Sequence, residues 1–113
     1  MKRFLVPIYG IRIFMSNNLE DTRRYFASHG GDPEDCEKAL GLCNVFRDKR
    51  NDIHRVIAVF DGKQGTLAHE CVHMSWIILQ ACAVRIGPDN HEAQATLVDW
   101  LITTFTRTFR KHR

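Results

Sequence analysis

The feature that most constrains the fold is one long apolar segment, residues 67–84, which would be hydrophobic over most of the circumference of a helix. Thr66, just before it, is a residue type that caps helices, and a Gly-Pro-Asp-Asn break follows at 87–90. A helix that is apolar on most sides usually forms the buried centre of its domain. With 113 residues, the chain has room for one domain, spanning 1–113 and built around this helix.

Strand signals lie upstream of this helix. Residues 4–15 are rich in β-branched and aromatic types and predict one strand or a bent strand pair, with Gly10 at the bend. Residues 42–46 and 54–60 are separated by a polar turn and predict an antiparallel hairpin.

Three further helices are predicted from their start and stop signals. One spans 19–29, follows a Ser-Asn-Asn turn and ends at Gly30-Gly31. A short one begins at Pro33 and reaches about residue 40, and the last spans 91–110. The sequence thus predicts an α+β fold, in which a small, mainly antiparallel sheet packs on the long helix and the C-terminal helix.

Charge and cysteine content bound the function. The net charge of +3 is mild and owes much to a basic C-terminus. Such a tail can contact nucleic acid or acidic partners, but four charges at a helix end more often complement the helix dipole, so we do not expect nucleic-acid binding. The basic residues of this tail are Arg107, Arg110, Lys111 and Arg113. The four cysteines form no C-x-x-C pair, and Cys71 and Cys82 are expected to be small buried thiols in the helix. This cysteine content favours a reducing compartment.

No membrane segment is expected. The start, Met1-Lys2-Arg3 followed by apolar residues, is similar to a signal peptide, but Pro7 and Arg12 interrupt the run and predict a strand instead. The longest apolar stretches are shorter than the ~20 residues that a membrane span needs. We therefore expect a cytoplasmic protein.

Chemistry is concentrated in His69-Glu70-Cys71-Val72-His73. Residues four apart share one helix face, so His69 and His73 could hold one Zn²⁺, although Mn or Co could occupy the same ligands. Glu70 would lie beside the metal-bound water as a general base. A buried helix face would not carry these polar groups without a partner, which favours metal binding.

A catalytic zinc site needs a third protein ligand, and Glu92 in the first turn of the next helix is the predicted one. An antiparallel helix after a tight turn would bring it back beside His73. The alternative is a carboxylate that only favours the positive end of the helix dipole.

These segments resemble the gluzincins, the thermolysin-like zinc peptidases, over roughly residues 55–105, and they also look like small metallopeptidase-like proteins encoded by bacteriophages. The resemblance implies a minimal zincin-like domain that cleaves peptides, in a phage or its bacterial host. It is incomplete. Thr96 stands where gluzincins usually carry an aspartate that orients a ligand histidine, with Asp99 the nearest carboxylate, and the chain is too short for a second lobe.

The remaining parts of an active site are less defined. His91, His54, Tyr9 and Tyr25 are candidates for stabilising an oxyanion. The strand at 56–60 either lines the cleft and pairs with substrate or is an internal strand of the sheet. Aromatic residues at helical spacing are expected to pack in the core; these are Trp76, Trp100, Phe105 and Phe109.

Three functions follow from the sequence. The leading hypothesis is a zinc metallopeptidase with a peptide or protein substrate. The second is a non-catalytic zinc-binding interaction module of phage or bacterial origin, which the short chain favours. The third is a nucleic-acid or regulatory protein that uses the basic C-terminal helix.

Overall fold

A four-stranded mixed sheet organises the computed structural model, which describes residues 1–110. In chain order, the elements are β1 (Lys2–Leu5), β2 (Arg12–Ser16), α1 (Leu19–His29), a 3₁₀ turn (Pro33–Cys36), β3 (Gly41–Arg47), β4 (Ile53–Val59), α2 (Gln64–Ala81) and α3 (His91–Thr108). The strand order is β1-β2-β4-β3, with β2 and β4 parallel and the two outer pairs antiparallel. The α+β prediction with a mainly antiparallel sheet is confirmed.

Strand β4 divides the interior into two cores because its side chains alternate between the faces of the sheet. Val56 and Ala58 pack with Phe26 of α1 on one face. Ile57 and Val59 belong to the larger core on the other face, which α2 and α3 cover. The sheet therefore lies between α1 and the helix pair α2–α3. The motif helix, α2, which carries His69 and His73, faces only one side of it.

The helix α1 has the predicted bounds, and its ends show why. The Asn18 side chain accepts a hydrogen bond from the backbone N–H of Asp21 at 2.9 Å, which caps the first turn. Gly30 ends the helix at φ 91°, a left-handed conformation that costs glycine little. The strand pair at the N-terminus and the β3–β4 hairpin are likewise confirmed.

Three predicted helices end earlier than expected. The long helix α2, predicted to reach residue 84, ends at Ala81. The segment after Pro33 forms only a 3₁₀ turn that ends at Cys36, because the buried Cys36 side chain anchors it in the α1 core and Glu37 is extended. The last helix ends at Thr108. Of the predicted basic cluster, Lys111 and Arg113 lie outside the described residues.

The start of α2 differs from the prediction. The helix begins at Gln64, before Thr66, so Thr66 is not its cap. Instead, the Asp61 carboxylate accepts hydrogen bonds from the Lys63 backbone N–H at 3.0 Å and from the Thr66 hydroxyl at 2.7 Å. The Thr66 hydrogen bond is the main cause of a lowered pKa at Asp61. A charged carboxylate at this end also favours the helix dipole.

The expectation that α2 is buried on most sides is wrong. The sheet and α3 cover one face, and the opposite face is a continuous exposed stripe, formed by Gly65, His69, Val72, His73, Trp76 and Gln80. Trp76 is 54% exposed and is not a core residue, whereas Phe105 is buried as predicted. Trp100 and Phe109 pack against the core while partly exposed. Among residues 1–110, no helix is both long and apolar enough to cross a membrane.

Candidate functional site

His69 and His73 form a converging pair on the exposed stripe of α2. Their Nε2 atoms are 3.2 Å apart, and their ring centroids are 4.7 Å apart with the planes at 73°. Two nitrogens bound to one tetrahedral zinc ion, each at about 2.05 Å, would be about 3.3 Å apart. The helical spacing therefore brings two ligand atoms to a separation that one metal ion can bridge. The expectation that these histidines lie on a buried face is wrong, since both are exposed.

Glu70 is the only Asp, Glu, Lys or Arg within α2, and it points inward rather than to solvent. It is 8% exposed and faces the start of β3. A Cβ atom at Gly41 would lie 3.4 Å from Cγ of Glu70, an ordinary packing distance, so the edge strand and the motif helix pack closely at this point. Glu70 and His69 line one pocket, where a carboxylate could exchange a proton with a bound water.

Two thiols lie near Glu70. Burial raises the pKa of Cys43 to about 12, and the negative charge of Glu70 adds to this effect. Burial and the same charge raise the pKa of Cys71 to about 12. Cys71 is buried in α2 as predicted, whereas Cys82 follows the last residue of the helix and is only partly buried. All four cysteines are free thiols.

Glu92 lies in the first turn of α3, as predicted, and its side chain is exposed. It lines an apolar groove of about 290 Å³, together with Pro7, Tyr9 and Trp100. Over residues 1–110, no three His, Cys, Asp or Glu side chains are grouped so that they could hold a metal ion. The structure thus brings His69 and His73 together but does not place Glu92 with them.

The other predicted residues of α3 are also at the surface. His91 is the first residue of the helix and is exposed. Asp99 is exposed and lies 3.5 Å from the Thr103 hydroxyl, which donates a hydrogen bond to it. Thr96 lines the same groove as Glu92. An Asp99 role in orienting a ligand stays a prediction.

Two of the candidate oxyanion residues lie on the opposite face of the sheet from α2. The Tyr25 hydroxyl is 2.7 Å from Nδ1 of His54, and Nε2 of His54 is 2.9 Å from the Asp48 carboxylate. This network joins α1 to the β3–β4 turn and has no access to the histidine pair. Asp48 belongs to the predicted polar turn, and no sequence pattern marks it as a partner of His54, because the β3–β4 pairing brings the two together.

The strand nearest the motif is at the edge of the sheet. β4 lies between β2 and β3, so of the two alternatives for residues 56–60 the internal strand is confirmed. β3 is the edge strand, and the Leu40 carbonyl just before it accepts a hydrogen bond from the Phe60 N–H at 2.8 Å. Along an antiparallel strand, residues that bond to the neighbouring strand alternate with residues whose backbone groups point away from it. Because Leu40 bonds to Phe60, the backbone groups of Gly41 and Cys43 point to the open edge.

A shallow pocket joins this edge to the motif. Its volume is about 400 Å³, and Leu40, Gly41 and Thr66 line it together with His69 and Glu70. No sequence pattern marks Leu40 or Gly41 as part of a site, because the pocket forms only when the start of β3 packs beside α2. The pocket places an unpaired strand edge beside a histidine and a carboxylate.

No family model, curated protein or solved structure matches this chain.

Proposed function

We propose that the protein is a zinc-dependent metallopeptidase of a bacterial cytoplasm that hydrolyses peptide bonds in an extended substrate. The observation that carries the proposal is the 3.2 Å separation of the His69 and His73 Nε2 atoms on an exposed helix face. Two neutral imidazoles are suitable zinc ligands, and an exposed pair leaves room for water and substrate.

The third ligand comes from α3 in this proposal. Glu92 is the proposed residue, because a carboxylate completes the set of a catalytic zinc site. In the structure its side chain lines the groove beside Pro7 and Trp100, so the proposal requires Glu92 to move toward the pair when zinc binds. A zinc ion held there would lower the pKa of a bound water toward ~7 and polarise a peptide carbonyl.

Glu70 supplies the proton chemistry in this proposal. Its carboxylate lies next to His69 along the helix and lines the same pocket. As a base, it accepts a proton from the attacking water, and as an acid it gives that proton to the departing amine.

The open edge of β3 is the proposed guide for the substrate. Unpaired backbone N–H and C=O groups at a sheet edge can add a peptide as a further strand. The edge at Gly41 borders the pocket that contains His69 and Glu70. A peptide paired with β3 would therefore pass beside the groups that act on it.

The proposal is tested with the isosteric substitution Glu70→Gln. The variant should keep its zinc and lose cleavage of a mixture of unstructured peptides, followed by mass spectrometry. Glu34→Gln, which changes an exposed carboxylate on the 3₁₀ turn, is the matched control and should cleave normally. Equal cleavage by Glu70→Gln and the parent protein would show that the mechanism is wrong.

A non-catalytic zinc module is the second candidate, and one observation favours it. The pocket that His69 and Glu70 line is shallow and open, so it encloses little of a substrate. If the zinc is structural, its coordination is closed. A hydroxamate added to cobalt-substituted protein would then leave the cobalt spectrum unchanged, whereas an open catalytic site would bind it and shift the spectrum.

A further inference from the structure

The exposed face of α2 is unusual in its chemistry. The solvent face of a surface helix normally carries charged side chains. On α2, all six residues of the exposed stripe lack a permanent charge, and the one such charge in the helix, Glu70, is directed inward. An exposed helix face without charged side chains does not favour solubility. Surfaces of this kind are typical of binding sites.

Two apolar side chains flank the histidine pair on this stripe. Val72 is 43% exposed and Trp76 is 54% exposed. Trp76 follows His73 by three residues and His69 by seven, so all of them share one helix face. The indole of Trp76 thus lies one helical turn from the converging nitrogen atoms, where a large flat apolar surface is available.

A third exposed apolar residue lies toward the other end of the pair. Leu40 is 64% exposed and lines the pocket that His69 shares. Apolar surface is therefore present at both ends of the histidine pair, and the edge of β3 runs beside it. A ligand that fits is an extended peptide with a bulky uncharged side chain, because the stripe offers no ion pair to a charged one.

We propose that Trp76, supported by Val72, is a specificity-determining residue that binds a bulky apolar side chain of the peptide lying across the histidine pair. This inference rests on the proposed function for the identity of the ligand as a substrate. Tryptophan suits the role, since it buries a large area with little loss of conformational freedom, and it is enriched among residues that dominate binding.

The test measures binding without turnover. The full-length Glu70→Gln protein, with zinc added, is titrated with blocked alanine hexapeptides that carry one central Leu or one central Asp. The Leu peptide should bind at least about tenfold more tightly than the Asp peptide. Trp76→Ala should remove this preference, and Trp76→Phe should keep most of it. Leu5→Ala, which changes a side chain that is 66% exposed on β1 at the other edge of the sheet, is the control and should bind as the parent does.

The outcomes separate this inference from the proposed function. Equal binding of both peptides, no binding, or a preference that survives Trp76→Ala would overturn the inference. Unfolding temperature and zinc content are measured for each variant, and a structural role of Trp76 would change these rather than the Leu-to-Asp ratio. If the Leu peptide binds through Trp76 but the parent protein does not cleave it, the subsite stands and the peptidase proposal fails.

Discussion

Gly41 of β3 and Glu70 of α2 face each other where the edge strand meets the motif helix. A Cβ atom at Gly41 would lie 2.6 Å from Cγ2 of Thr66 and 2.9 Å from the Ala58 carbonyl oxygen, closer than packing allows. The contact with a backbone oxygen cannot be relieved by turning a side chain. We therefore predict that Gly41→Ala destabilises the fold by about 1–3 kcal/mol, measured by urea unfolding.

The matched control is Gly65→Ala in the first turn of α2. A Cβ atom there meets nothing within 4 Å, and alanine favours the helix. This variant should be as stable as the parent or more stable, by up to about 1 kcal/mol. A Gly41→Ala protein with unchanged stability would mean that β3 and α2 are less closely packed than described.

Tyr25 should make the fold sensitive to alkaline pH. Burial is the main cause that raises the pKa of Tyr25 to about 12 in the folded protein, against 10.0 for an exposed tyrosine. The folded state therefore retains its proton longer than the unfolded state, and this contribution to stability is complete below pH 10 and is lost as the pH rises toward 12. Unfolding measured across this range should show a steeper loss for the parent than for Tyr25→Phe. Tyr9→Phe should keep the slope of the parent, and identical slopes for Tyr25→Phe and the parent would contradict the prediction.

Asp48 should make the stability of the fold depend on pH in the acid range. The hydrogen bond from His54 is the main cause of the lowered pKa of Asp48, so its charged form is stabilised by folding. This stabilisation is present above the ordinary pKa of aspartate, near 3.8, and is lost as the pH falls through the lowered value. Asp48→Asn should thus be less stable than the parent at pH 6, with the difference narrowing at strongly acid pH. A difference that stays constant with pH would argue against the ionised network.

Local signals were sufficient for most of the fold. Asn18 and Gly30 predicted both ends of α1, since a cap and a left-handed glycine act through neighbouring residues. Two strand-like runs separated by a polar turn predicted the β3–β4 hairpin. The predicted start of α2 was wrong because the Thr66 side chain is hydrogen-bonded to Asp61 and does not cap the helix backbone. Helix propensity does not predict which partner a threonine side chain takes.

Features set by tertiary packing could not be read from the sequence. Helical spacing put His69 and His73 on one face, but which face the sheet covers depends on the placement of β3 and α3. Helical spacing likewise did not show that Trp76, which was expected in the core, lies on the exposed face of α2. The position of β4 inside the sheet follows from the strand order, which the sequence does not give. Glu92 is the case in which sequence spacing alone gives no position, because the turn between α2 and α3 sets it.

The role of Glu92 is testable apart from catalysis. Glu92→Gln should lower zinc affinity by more than about tenfold, because losing a ligand costs at least as much as losing a group that orients one. Asp89→Asn changes a nearby exposed carboxylate before α3 in the same way and should leave the affinity nearly unchanged. Affinity is measured by competition with a chromophoric chelator. Equal zinc affinity of Glu92→Gln and the parent would remove Glu92 from the ligand set and leave the histidine pair as the site.

The most direct measurement is the metal content of the purified protein and of His73→Ala, determined by elemental analysis after removal of loosely bound ions. His29→Ala, which changes a histidine on α1 at the other face of the sheet, is the control. The account predicts one zinc ion per chain in the parent and in His29→Ala, and none in His73→Ala. Parent protein without stoichiometric metal after reconstitution with zinc, or a His73→Ala protein that retains it, would contradict the account.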